Sequence, residues 1–325
     1  MSFVWAMRSI FPLLLTAALA HGADEAVPTL ACGTHHGEVV KLHGDIDEPD
    51  HLSGAAVAGK FLLVVSDEAK RPTAVQVLKE DGASYKAGKT VELPAGDDEV
   101  DLEAVAVDGR TVYVTGSHAS TRKIKNGRIE APKRKESREQ VFRFRLEADG
   151  GAGVIERPKS LSAAIEGDPV LKGFVGMASK ENGIDIEGLA VKDDRLYFGF
   201  RGPVLRDGLV PVLSATWDNL TRSAQVRYVR LDGRGIRDLV AVDGGFLILA
   251  GPVGDGDASY RVYFWDGNDQ RAEDVRPQRL AELAAGPGKP EGLAVLDADG
   301  GAYDVLLLCD GLPKGGLTRL RLSRP

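Results

Sequence analysis

The hydrophobic positions of this chain gather in short runs parted by polar turns, and one pair of such runs recurs. Its clearest copy is Asp185-Ile186-Glu187-Gly188-Leu189-Ala190-Val191, followed across Asp193-Asp194 by Arg195-Leu196-Tyr197-Phe198-Gly199-Phe200. Glu103-Ala104-Val105-Ala106-Val107 stands in the same relation to the run 111–116, and Glu291-Gly292-Leu293-Ala294-Val295 to the run 303–308. Two looser copies are Asp238-Leu239-Val240-Ala241-Val242 before 246–250, and Ser53-Gly54-Ala55-Ala56-Val57 before 61–65. The first run of each pair reads as a strand of small residues headed by a polar one. The second, rich in β-branched and aromatic side chains, is its partner across a turn. A unit recurring through the whole chain implies a repeat architecture.

Each copy continues into a third strand (73–78, 140–146, 210–216, 260–265 and 317–322) and, except in the last, a fainter fourth (89–93, 153–157, 225–231 and 274–278). A spare strand over 37–42 precedes the first copy and is the natural fourth strand of the last. Four strands per unit repeated around a circle predict an all-β fold, a β-propeller of five four-stranded blades closed by the N-terminal strand. Six blades are the alternative, because the spacing between the Glu103 and Glu187 copies is long. That spacing holds insertions over 118–139 and 160–182, which are too poor in strands to supply a blade. Two β-sandwiches would give no reason for one motif at near-equal spacing.

Propeller topology converts spacing into geometry. Inner strands run the same way, so Ser53, Glu103, Glu187, Asp238 and Glu291 fall at one mouth of the central channel. The turns after the second strands reach the same face and bring Ser117, His118, Arg201 and Asp310. Like charges gathered without partners cost several kcal/mol, so a cation or protonation should relieve them. The plainer reading is that each acid accepts backbone N–H groups from the next blade and locks the ring. The expected metal ligands are Glu103, Glu187, Glu291, Asp238, Asp101 and Asp185, with Ca2+ as the cofactor, since carboxylates and carbonyls suit a hard ion. Glu103, Glu187 and His118 are the catalytic candidates; Arg201, Ser117 and Asp310 are the substrate-binding ones.

Composition narrows the partners. A net charge of −7 argues against nucleic acid, and 43% hydrophobic residues in 325 allow one large repeat domain. Arg8 precedes an apolar run from Ile10 to Ala20 that is too short to span a bilayer, and Ala18-Leu19-Ala20 fits a signal-peptidase site. Residues 1–23 are therefore read as a signal peptide and 24–325 as a single exported domain, periplasmic or secreted, monomeric, with no membrane span. Cys32 and Cys309 could oxidise in that compartment. However, Cys309 ends a strand at the mouth, whereas Cys32 precedes the closing strand on the opposite side, so their pairing would need a hairpin over 34–37. The insertion from Arg122 to Arg138 is strongly basic and reads as a solvated loop. No zinc spacing and no Gly-x-Ser-x-Gly elbow is present.

The run Lys180-Glu181-Asn182-Gly183-Ile184-Asp185-Ile186-Glu187-Gly188-Leu189-Ala190, with Asp101-Leu102-Glu103-Ala104-Val105-Ala106-Val107 and Phe198-Gly199-Phe200-Arg201-Gly202-Pro203, resembles a bacterial family, domain of unknown function 3616. The Glu-Gly-Leu-Ala element is more distantly similar to esterase-like, phytase-like and calcium-dependent lactonase propellers. What that resemblance implies is a metal or an anionic small molecule at the ring mouth. Two functions follow: a cation-assisted hydrolase of an ester, lactone or phosphate ester, or a non-catalytic propeller that binds a small ligand, glycan or protein.

Overall fold

A computed structural model describes residues 28–32, 37–68, 73–96, 98–254, 259–271, 275–284 and 286–325; the expected signal peptide lies outside them. The recurring strand pairs build a five-bladed β-propeller. Blade one is Leu52–Ala58, Phe61–Ser66, Ala74–Asp81 and Ser84–Glu92. Blade two is Leu102–Asp108, Thr111–Gly116, Val141–Leu146 and Ala152–Ile155. Blade three is Asp185–Lys192, Arg195–Gly202, Leu209–Ala215 and Gln225–Arg230. Blade four is Gly235–Val242, Gly245–Gly251, Tyr260–Trp265 and Gln278–Ala284. Its outer strand lies further along than the 274–278 expected. The apolar positions Leu280, Ala281 and Leu283, which are buried, set that register. Blade five is Lys289–Asp297, Ala302–Asp310 and Thr318–Ser323, completed by Glu38–Val39.

The ring is held by one apolar layer between each pair of neighbours. Leu63 and Val65 of blade one meet Val114 and Phe142 of blade two. Leu189 and Phe198 of blade three pack in the layer shared with Ala104 and Val141. Ile236 and Trp265 of blade four join Val210 and Val229 of blade three. Similar layers join blades four and five through Leu247 and Leu307, and blades five and one through Leu306 and Leu62. The inner strands come so close that side chains there must be small. A Cβ added to Gly188 would lie 2.9 Å from Leu239 Cβ of the next blade, and one on Gly54 would lie 2.8 Å from Glu103 O.

The N-terminal segment does more than close blade five. Glu38–Val39 pairs antiparallel with Thr318–Ser323, as the spare-strand reading requires. Before it, Thr29–Ala31 lies parallel to the outer strand of blade four, and after it Leu42–His43 lies parallel to the outer strand of blade one. One short stretch thus straps three blades. The strap also resolves the cysteines. An outer strand runs toward the mouth, so a parallel partner carries Cys32 to the mouth end, where Cys309 finishes the second strand of blade five. The two form a disulfide with Cα atoms 6.2 Å apart, and the hairpin that seemed necessary is not.

The insertions are ordered rather than loosely solvated. Ser120 bridges to Ala178, Arg122 pairs with Glu181, and Arg134 pairs with both Glu139 and Glu166, so the two insertions form one wall. The second includes a short helix, Ser162–Gly167, and drives Leu161, Ile165 and Leu171 into the layer between blades two and three. Deleting residues 24–43 should bare three blade edges and remove the disulfide. At about 2–5 kcal/mol for such a crosslink alone, the thermal midpoint should fall by roughly 10 °C. A truncated protein that melts with the full chain would refute closure by the strap.

Candidate functional site at the ring mouth

Each inner strand carries a β-bulge at the same place, and the bulged residue turns toward the channel mouth. The skipped residue is Ser53 in blade one, Glu103 in blade two, Glu187 in blade three and Glu291 in blade five. In blade four it is Arg237, because Ile236 pairs with Ala250 and Asp238 with Leu249. Asp238 therefore occupies the small-residue position of Gly54, Ala104, Gly188 and Gly292, one place later than the motif copies suggested. The ring reads Ser, Glu, Glu, Arg, Glu. A further irregularity in blade three, where Asp185 pairs with Gly202 and Ile186 with Phe200, leaves Arg201 unpaired on the second strand and aimed at the same space.

These residues line a cavity of about 400 Å³ at the mouth, with Asp67, Glu68, Asp101 and Asp310 on its rim. Below it the channel narrows to about 180 Å³ lined by Ala55, Val105, Leu189, Leu239, Leu293 and their neighbours on the inner strands. The side chains that line the neck are small and apolar, and the large polar ones lie in the bowl above. Two guanidinium groups bridge three of the acids on the floor. Arg201 reaches Asp185 at 2.5 Å and Glu187 at 2.7 Å, and Arg237 reaches Glu187 at 3.0 Å and also contacts Glu291. Arg138, from the first insertion, holds Asp101 at 2.6 Å and contacts Glu99.

Glu103 stands apart. Oxygens of Glu103, Asp185 and Glu187 lie within 4.8 Å of one another, yet among the described residues Glu103 has neither hydrogen bond nor ion pair. Burial, and then the charges of Glu187, Asp101, Asp67 and Asp185, hold its carboxyl well above the usual carboxylate range. Burial also pushes Glu187 up to about 8, with Arg201 and Arg237 pulling the other way. Asp67, on the rim, is raised to about 7 by burial and by the charges of Asp101, Asp310, Glu291 and Glu68. Burial raises Asp101 to about 6 against the pull of Arg138 and of the Ser117 hydroxyl.

Other sequence candidates take structural posts. Ser53 Oγ donates to Leu102 O at 2.6 Å and ties blade one to blade two. Asp238 accepts N–H bonds from Leu239 and from Leu293 in blade five, each at 2.7 Å. Ser117 Oγ donates to Asp101 Oδ2 at 2.5 Å. His118 does not face the mouth; it lines a separate small cavity with Arg134, Glu139 and Glu166. Its Nδ1–H donates to Gly116 O at 3.0 Å and its Nε2 accepts from Leu161 N at 3.3 Å, while burial holds it down to about 4. That neutral ring staples the second insertion to blade two. Arg237 and Arg138 were missed in the sequence. The first was hidden by the shifted alignment of blade four, the second by its place in a basic run.

Five bulged blades around a charged bowl define this protein as a β-propeller with a polar mouth above a neck of small apolar side chains. The chain matches the family described as Protein of unknown function (DUF3616) over residues 51–143 and 127–318, and it belongs to that family. No curated protein matches its sequence. Among solved structures it is similar to Sqt1 from Saccharomyces cerevisiae (8% identity, 89% of this chain and 100% of that chain, TM-score 0.38). It is similar also to a glycosyl hydrolase from Bacteroides ovatus (11% identity, 93% and 95% covered, TM-score 0.44). A third likeness is an exo-beta-1,3-galactanase from Phanerochaete chrysosporium (10% identity, 91% and 63% covered, TM-score 0.46). At these TM-scores the likenesses carry nothing about activity.

Two predictions follow from the geometry. Asp238→Ala leaves two buried amides unpaired and should cost about 2–5 kcal/mol in denaturant unfolding, with Asp238→Asn costing less. An equal, negligible effect of both would show that the latch is idle. The second concerns pH. An acid whose pKa is higher folded than unfolded contributes stability at low pH, and loses it as pH rises through the folded value. With Asp67 raised from 3.8 to about 7 and Glu187 from 4.5 to about 8, the midpoint measured in chelator should fall from about pH 5 to about pH 8. Glu103→Gln should flatten that slope. A midpoint that rises across this window would mean that the acids are matched by their arginines.

Proposed function

We propose that the mouth is the site of an exported, cation-assisted hydrolase acting on an ester, lactone or phosphate ester, with Ca2+ held by Glu103, Asp185 and Glu187. The observation that carries the reading is the convergence of these carboxylates within 4.8 Å, with Glu103 in no ion pair among the described residues. Calcium–oxygen bonds of about 2.3–2.6 Å span such a set, so the donors fit a hard cation in size and chemistry. When bound, the ion would polarise a carbonyl or phosphoryl oxygen as a Lewis acid. Glu103, its carboxyl held well above the usual carboxylate range by burial and by neighbouring acids, lines the bowl and is suited to hold or release a proton at its carboxyl oxygen. Arg201 and Arg237 keep Asp185, Glu187 and Glu291 in place; Lys289 and His51, positioned by Asp310 on the rim, offer contacts to an anionic small molecule. Export is supported by the Arg8 to Ala20 segment and by the Cys32–Cys309 disulfide, which suits an oxidising compartment.

A second reading, a non-catalytic module that binds a small ligand, glycan or protein across the same face, is favoured by one observation. Ser53 and Ser117 are committed to Leu102 O and Asp101, and His118 sits in another cavity, so these three form no nucleophile–base pair at the bowl. Thermal melting and a panel of chromogenic esters, lactones and phosphate esters separate the readings. With Ca2+ in excess, the midpoint should rise by mass action, and more at about pH 8 than at about pH 5, because protons compete for the raised carboxyls. Calcium-dependent turnover lost in Glu103→Gln supports the hydrolase. A calcium-dependent midpoint without turnover leaves the binding module, and a midpoint indifferent to Ca2+ and chelator removes the cation from both.

A further inference from the structure

At the far end of the first insertion the chain forms a small hairpin in which Ile124–Lys125 pairs with Arg128–Ile129 through an Asn126-Gly127 turn. Both turn residues have positive φ, at 51° and 75°, the geometry that an Asn-Gly pair adopts in a tight hairpin. Its two faces differ in kind. Ile124 and Ile129 stand directly opposite each other and are 74% and 67% exposed, an apolar pair facing water. Lys125 and Arg128 form the adjacent cross-strand pair, whose side chains point to the other face, and Lys123 adjoins them.

The basic residues of this insertion fall into two groups. Arg122, Lys133, Arg134, Lys135 and Arg138 pair with Glu181, Glu130, Glu139, Glu166, Glu99 and Asp101 and so build the wall beside the mouth. Lys123, Lys125 and Arg128 are exposed and have no ion pair among the described residues. In a chain of net charge −7, these unneutralised cations surround a solvent-facing isoleucine pair. An element with an apolar face and a cationic one matches the interface of an anionic bilayer. The apolar face enters the boundary of headgroups and acyl chains, while the cations stay level with the phosphates.

We infer that the 123–129 hairpin docks this protein on a membrane surface rich in anionic lipid. Thr121, just before the hairpin, lines the mouth cavity, so docking brings the bowl beside the lipid surface. The inference stands on the hairpin and holds whether or not the mouth is catalytic.

The test is sedimentation of the full chain with phosphatidylglycerol-containing vesicles and with pure phosphatidylcholine vesicles, at low and high salt. Binding should favour the anionic vesicles and weaken with salt, as screened charge requires. Replacing Lys123, Lys125 and Arg128 by Gln together should lower binding roughly tenfold or more. Ile124→Ser with Ile129→Ser should also lower it, with the thermal midpoint unchanged in both variants. Equal binding to the two vesicle types, or none, overturns the proposal. Binding that survives the isoleucine changes and is competed by a soluble polyanion also overturns it, because the hairpin would then read charge alone.

Discussion

Everything in this propeller depends on how closely its inner strands can approach. Five strands converge on one axis, and at Gly188 or Gly54 even a methyl group would meet the next blade at less than 3 Å. That crowding requires small residues on the inner strands and lines the neck of the channel with small apolar side chains. It also gives the bulges their value. By stepping one residue out of the ladder at the head of each strand, the fold turns a large polar side chain upward into open space. Packing below and chemistry above come from the same few residues.

The mouth that results is a charge array in which acids outnumber the arginines and lysines. Buried carboxylates alone would be costly, and a buried ion pair survives only with good geometry on both sides. Arg201 and Arg237 supply this by bridging Asp185, Glu187 and Glu291. Glu103 joins no ion pair among the described residues, and burial and its acidic neighbours hold its carboxyl well above the usual range. Asp238 shows the other use of an acid at this level: with both oxygens on backbone amides, it joins blade four to blade five and has no capacity left for a ligand.

A bare ring would present a nearly symmetric bowl, and this chain breaks the symmetry in two places. The N-terminal strap binds the outer edges of blades four, five and one and is anchored to Cys309 by the disulfide. The paired insertions raise a wall beside blades two and three, fastened by ion pairs and by the neutral ring of His118. The bowl is thus walled beside blades two and three.

The architecture was legible along the chain because packing at the axis repeats. Small residues after Glu103, Glu187 and Glu291, each followed by a β-branched or aromatic run, disclose both the strand pairs and the mouth. The blade count follows from the same recurrence. The alignment of blade four was not legible, since Arg237-Asp238-Leu239 carries an acid where other blades carry Gly or Ala. Only the ladder, with Ile236 opposite Ala250 and Asp238 opposite Leu249, shows which residue bulges. Nor could spacing reveal that Thr29–Ala31 would run parallel to blade four and deliver Cys32 to Cys309, or that His118 would turn under the second insertion. Repetition records the constraints that every blade shares. The partner of each polar side chain depends on contacts between blades and insertions distant in sequence, and these exist only once the ring has closed.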